Sequence, residues 1–69
     1  MVNTIINNII YNDKRMAKLS TIKRRYVYDK ARQYVVGEAA TLKVRLTDDE
    51  ATKAVVQIVA AIERRKHNV

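Results

Sequence analysis

With one glycine, Gly37, and no proline in 69 residues, this chain has almost no position at which the backbone is compelled to break. Neither residue occurs between 13 and 36, so the simplest reading of that stretch is one long helix, closed by Gly37 in the left-handed conformation. The β-prone runs Arg25-Tyr26-Val27-Tyr28 and Tyr34-Val35-Val36 leave a hairpin open as the alternative, although Asp29-Lys30-Ala31-Arg32 holds no residue that turns easily.

Around that stretch, hydrophobic spacing sets the other elements. Val2, Ile5, Ile6, Ile9 and Ile10 recur on one helical face, with Asn3, Asn7, Asn8 and Asn12 opposite, and Asn12-Asp13 can cap the helix that follows. Residues 41–46, Thr-Leu-Lys-Val-Arg-Leu, alternate strictly, as a half-buried strand does, with Leu42, Val44 and Leu46 inward and Thr41, Lys43 and Arg45 outward. Thr47-Asp48-Asp49-Glu50 is a capping box, and Ala51, Val55, Ile58 and Ile62 carry an apolar stripe along the helix that it opens. The predicted fold is a helix-rich α+β domain, helix-helix-strand-helix, spanning 1–69 as a single small basic unit.

A chain this short builds a core worth only about 3–5 kcal/mol unless something reinforces it. It has no cysteine for a disulfide, no Trp or Phe for bulk, and a single histidine, His67. Association is the remaining reinforcement, so a homodimer is expected, joined through the strand or the C-terminal apolar stripe. No stretch approaches the roughly 20 apolar residues of a membrane span. The expected setting is soluble and cytoplasmic, or the host cytoplasm for a viral protein.

The net charge of +7 is concentrated in one place. Lys14, Arg15, Lys18, Lys23, Arg24, Arg25, Lys30 and Arg32 face a single acid, Asp29, while the rest of the chain is nearly balanced. A surface kept merely soluble intersperses both signs, whereas segregated cations suit a polyanion, whose phosphates release condensed counterions on contact. On one continuous helix Lys14, Lys18, Arg25 and Arg32 align as a ridge that would hold phosphates, while Lys23 and Lys30 interrupt the opposite face of Met16, Leu19, Tyr26 and Tyr34, and Lys23 and Arg24 are counted with the ridge as candidate nucleic-acid contacts. Tyr26, Tyr28 and Tyr34 either stack on exposed bases or pack in the core with a wet hydroxyl.

No catalytic arrangement accompanies these cations. A glycine-rich phosphate loop and a Ser-His or Cys-His pair are both missing, and Asp48, Asp49 and Glu50 are explained by helix capping without a metal. An enzyme, a cofactor and a metal site are not expected.

Residues 41–50, the alternating strand followed by the capped helix, resemble the opening of the ribbon-helix-helix DNA-binding family. That resemblance implies a strand paired with its dimer mate, with Thr41, Lys43 and Arg45 reading base edges in the major groove above Leu42, Val44 and Leu46. The family's second helix has no counterpart after Ile62, so the N-terminal helices would replace it and the basic ridge would clamp the backbone. The expected function is a dimeric, regulatory or accessory DNA-binding protein, with DNA favoured over RNA. The alternatives are an RNA-binding accessory protein, and a non-enzymatic subunit or inhibitor, viral or plasmid-borne, that docks on an acidic protein through its apolar stripes.

Overall fold

The structure, a computed structural model, describes residues 1–67, and these fold into four helices: α1 (Val2–Ile10), α2 (Asp13–Thr21), α3 (Arg24–Thr41) and α4 (Asp48–His67). The described residues hold no strand, so the α+β expectation is replaced by an all-α bundle.

α1 stands where its periodicity puts it. Ile5, Ile6 and Ile9 are buried, and the asparagines at 3, 7 and 8 are exposed. Asparagine is a poor helix former, but each buried isoleucine returns about 1.5–3 kcal/mol, so packing holds the helix where propensity would not. Asn12 then caps α2, its side-chain oxygen accepting from the Arg15 backbone N–H at 3.1 Å.

The single helix expected over 13–36 is broken at Ile22 and Lys23. Ser20 and Thr21 turn their hydroxyls back to the carbonyls of Ala17 and Lys18, both at 2.8 Å, and Ile22 leaves the helix with ψ 141°. Hydroxyl side chains that bond their own backbone compete with the helix ladder, and here two of them occur in succession. The hairpin alternative fails too, because both of its β-prone runs lie inside α3.

Gly37 ends nothing. It sits within α3, exposed, with no atom within 4 Å of where a Cβ would be. α3 ends instead at Lys43, which takes the left-handed conformation at φ 57° while its N–H donates to the Ala40 carbonyl at 3.2 Å and that of Val44 to Ala39 at 2.8 Å. The chain thus has its glycine where a helix prefers alanine, and a lysine where a helix end prefers glycine. Gly37→Ala and Lys43→Gly are each expected to stabilise the fold by about 0.5–1 kcal/mol, read as a higher urea midpoint with an unchanged slope.

The expected strand over 41–46 is therefore the end of α3 followed by a loop. Its alternation is real: Leu42, Val44 and Leu46 are half-buried against the core while Thr41, Lys43 and Arg45 are exposed. What fails is the extended backbone, since Lys43 takes the left-handed conformation and turns the chain away. The strand from which the family resemblance would build its base-reading ribbon is thus absent at 41–46.

The capping box at the start of α4 is formed reciprocally. The Glu50 N–H donates to the Thr47 hydroxyl at 3.1 Å, and the Thr47 N–H donates to the Glu50 carboxylate at 3.0 Å. These bonds hold the Glu50 carboxyl below its usual range. α4 is the central helix, burying Ala51, Ala54, Val55, Ile58, Val59, Ala61 and Ile62. It runs antiparallel to α3, with Arg32 bonded to Thr52 midway and Arg24 and Val27 beside Val59, Ile62 and Lys66 at the end. Alanines at 31 and 39 of α3 and at 51, 54 and 61 of α4 let the two backbones approach closely. Both apolar stripes named as dimer or partner surfaces, on α1 and α4, are consumed inside this core.

Candidate nucleic-acid interface

The break at Ile22 and Lys23 divides the predicted ridge. Lys14 and Lys18 lie on the solvent side of α2, opposite Met16 and Leu19. Arg25 and Arg32 belong to α3, and the Arg32 guanidinium leans across to α4, donating to the Thr52 hydroxyl at 2.7 Å. The 100° arithmetic that aligned all four does not carry across two helices. Lys43 and Arg45 lie on the α3–α4 loop, beside the acidic first turn Asp48, Asp49 and Glu50.

What the fold does assemble is a basic corner. The antiparallel α3–α4 hairpin brings the start of α3, with Lys23, Arg24 and Arg25, to the end of α4, with Arg64, Arg65 and Lys66. Arg24 and Lys66 line one shallow cleft floored by Ile22, Val27, Val59 and Ile62, with Glu63 at its edge. A second cleft, of about 350 Å³, adjoins it through Ile62 and Lys66 and is bounded by Arg65 and Asp13. Sequence reasoning assigned Arg64, Arg65 and Lys66 only to the negative pole of their own helix. The missing signal was the α3–α4 pairing, which cannot be drawn until α3 is known to start at 24.

Few of the described cations are paired. Among the described residues, only Arg15 and Arg65 have a carboxylate within 4 Å. Arg65 is structural: it donates to the Ile10 carbonyl at 3.0 Å, closing the end of α1, and stands 3.9 Å from Asp13. Arg15 pins α2 to α3 through Glu38 at 2.8 Å, and Asn8 of α1 donates to the same carboxylate at 3.1 Å. Lys14, Lys18, Lys23, Arg24, Arg25 and Arg32 have no such partner. α3, like α1, opens with no acidic residue in its first turn and no side-chain cap, whereas Asp13 opens α2 and three acids open α4. Lys23, Arg24 and Arg25 therefore add to the positive pole of α3 instead of offsetting it.

The Glu38 carboxyl is held below its ordinary value of 4.5, first by the Arg15 hydrogen bond and then by that of Asn8. A carboxylate with a lowered folded-state pKa contributes stability above its unfolded value and loses it as pH falls through the lowered one. Glu38→Gln is thus expected to cost under about 1 kcal/mol at neutral pH and nothing once Glu38 is protonated. Urea unfolding at neutral and acid pH checks this.

The tyrosines divide. Tyr34 is half-buried, with the Arg15 guanidinium and the Lys30 ammonium each 5.8 Å from its ring centre. Tyr26 and Tyr28 stay outside the core at 51% and 50% exposure, and the Arg25 guanidinium lies 5.0 Å from the Tyr26 ring. Among the described residues, no cluster of His, Cys, Asp or Glu is placed to hold a metal ion, and no helix is long and apolar enough to cross a membrane. Compared with models of protein families, with curated proteins and with solved structures, the chain matches none, so what the basic corner does must be read from its own chemistry.

Proposed function

We propose that this chain is a nucleic-acid-binding protein whose basic corner, Lys23, Arg24, Arg25 and Lys66, takes the phosphate backbone, with Lys14 and Lys18 extending the positive surface along α2. The observation that carries this is charge segregation: six of the eight predicted contact cations lie in the stretch 14–32, and among the described residues none of the six has a carboxylate within 4 Å, as Lys43 and Arg45 also have none. Lys43 and Arg45 have a smaller part, because the strand that would have aimed them at base edges is absent and the acids Asp48, Asp49 and Glu50 follow them closely in sequence.

The rival reading, docking on an acidic protein through an apolar stripe, loses its support, since Ile5, Ile6 and Ile9 of α1 and the stripe of α4 are buried within the chain itself. The preference for DNA rested on the ribbon, so the proposal covers either nucleic acid.

Fluorescence anisotropy with labelled oligonucleotides across a salt series tests it. If about four phosphates are engaged, log K should fall linearly with log salt, with a slope of about −3 to −4. No binding at low salt, or binding indifferent to salt, contradicts the proposal.

A further inference from the structure

We infer that the nucleic acid taken by this surface is single-stranded, and that Tyr26 and Tyr28 are the platforms on which its bases stack; the inference rests on the nucleic-acid reading above. On a helix, side chains three and four positions apart share a face. Tyr28 thus shares the face of Arg25 and Arg32, with Asp29 beside it, while Tyr26 carries the Arg25 guanidinium 5.0 Å from its ring centre on one face and keeps the other face for a base. Each exposed ring has an arginine against it or one turn away, Arg25 at Tyr26 and both Arg25 and Arg32 on the face of Tyr28, so a base stacked on the ring places a flanking phosphate beside positive charge.

The alternative use of these tyrosines, as core residues, is excluded by their exposure, and the core closes on Val27 and Ala31 without them. The Arg32 guanidinium spends one nitrogen on Thr52 and keeps further donors for a phosphate. A duplex keeps its base faces stacked inside and offers these rings nothing but backbone, whereas a single strand exposes the π-face that an aromatic platform needs. Two positions apart, the rings lie on opposite flanks of α3, so they hold separate bases of one strand passing over the first turns of the helix.

The test compares single-stranded DNA, single-stranded RNA and duplex DNA of equal length at one salt concentration. The proteins are the parent, the Tyr26→Ala/Tyr28→Ala double variant and the Tyr26→Phe/Tyr28→Phe double variant. The parent should bind at least one single strand more tightly than duplex, and the bound strand identifies the ligand as DNA or RNA. The alanine pair should lose on the order of a hundredfold on that strand, about tenfold per ring, and less than about twofold on duplex. The phenylalanine pair, which keeps the stacking face, should bind as the parent does, and circular dichroism should show unchanged helix content in both variants. Parental affinity of the alanine pair for single strands, or duplex bound as tightly as any single strand, overturns the inference while leaving the nucleic-acid reading standing. Failure of all three ligands to bind at low salt overturns both.

Discussion

Ile58→Ala should remove about 3 kcal/mol of folding stability, leaving about 0–2 kcal/mol and up to about half of the protein unfolded at room temperature. Ile58 is 0% exposed on α4, the helix against which the other three pack. Its deletion costs the transfer energy of the lost methyl groups together with a cavity term, and this core is poorly equipped to collapse into the space. Buried alanines at 31, 39, 51, 54 and 61 have no length to extend, and no buried aromatic side chain can shift to fill the gap. A domain this small has about 3–5 kcal/mol to lose, so the effect is most of the total. Val56, two positions away but 53% exposed, is the internal control: Val56→Ala should stay within about 0.5 kcal/mol. Urea unfolding followed by circular dichroism measures both. A loss at Ile58 no larger than at Val56 would show that the chain does not close its core in this way.

The second large effect concerns binding. Lys23→Ala/Arg24→Ala/Lys66→Ala removes three cations that α3 and α4 gather from distant parts of the chain. Each phosphate left without its cation should lower the magnitude of the salt slope by about one, and affinity near 0.1 M salt should fall on the order of a hundredfold. Lys43→Ala/Arg45→Ala removes two cations at the opposite end of α4. A helix of 20 residues is about 30 Å long, some three Debye lengths at that salt, so this variant should change affinity by less than about threefold. The two variants separate a local interface from a general attraction of positive protein to negative polymer. If affinity tracked only the number of charges removed, the loop pair would lose about two-thirds as much, on a logarithmic scale, as the corner triple.

Much of the fold was legible because its signals are local. The Thr47–Glu50 box needs only four residues, and it forms as the sequence implies. The stripes on α1 and α4 need only a 3.6-residue period, and both are buried. Where reading failed, the deciding interaction was elsewhere in the chain or concealed by a plausible substitute. Ser20 and Thr21 break the helix with hydroxyls, without the glycine or proline that would announce a break. The alternation at 41–46 is a genuine inward–outward pattern, but a strand also requires extended backbone throughout, and Lys43 adopts a left-handed conformation that its side chain gives no reason to expect. These two misreadings reshaped the site. A helix unbroken to 36 aligned Lys14 and Lys18 with Arg25 and Arg32, and a strand aimed Lys43 and Arg45 at bases. With the break in place, Arg24 becomes the first residue of α3, with Lys23 just before it, and finds Lys66 beside it, a neighbour 42 positions distant in the sequence.

Backbone amide shifts followed by NMR as a single-stranded oligonucleotide is added test the basic corner most directly, because they report position without altering the protein. The largest changes should fall on Lys23 to Tyr28 and on Arg65 and Lys66, with smaller ones at Lys14 and Lys18 and little change from Lys43 to Asp49. Changes centred on Lys43 and Arg45, or spread evenly over every lysine and arginine, would contradict a nucleic-acid interface built by the start of α3 and the end of α4.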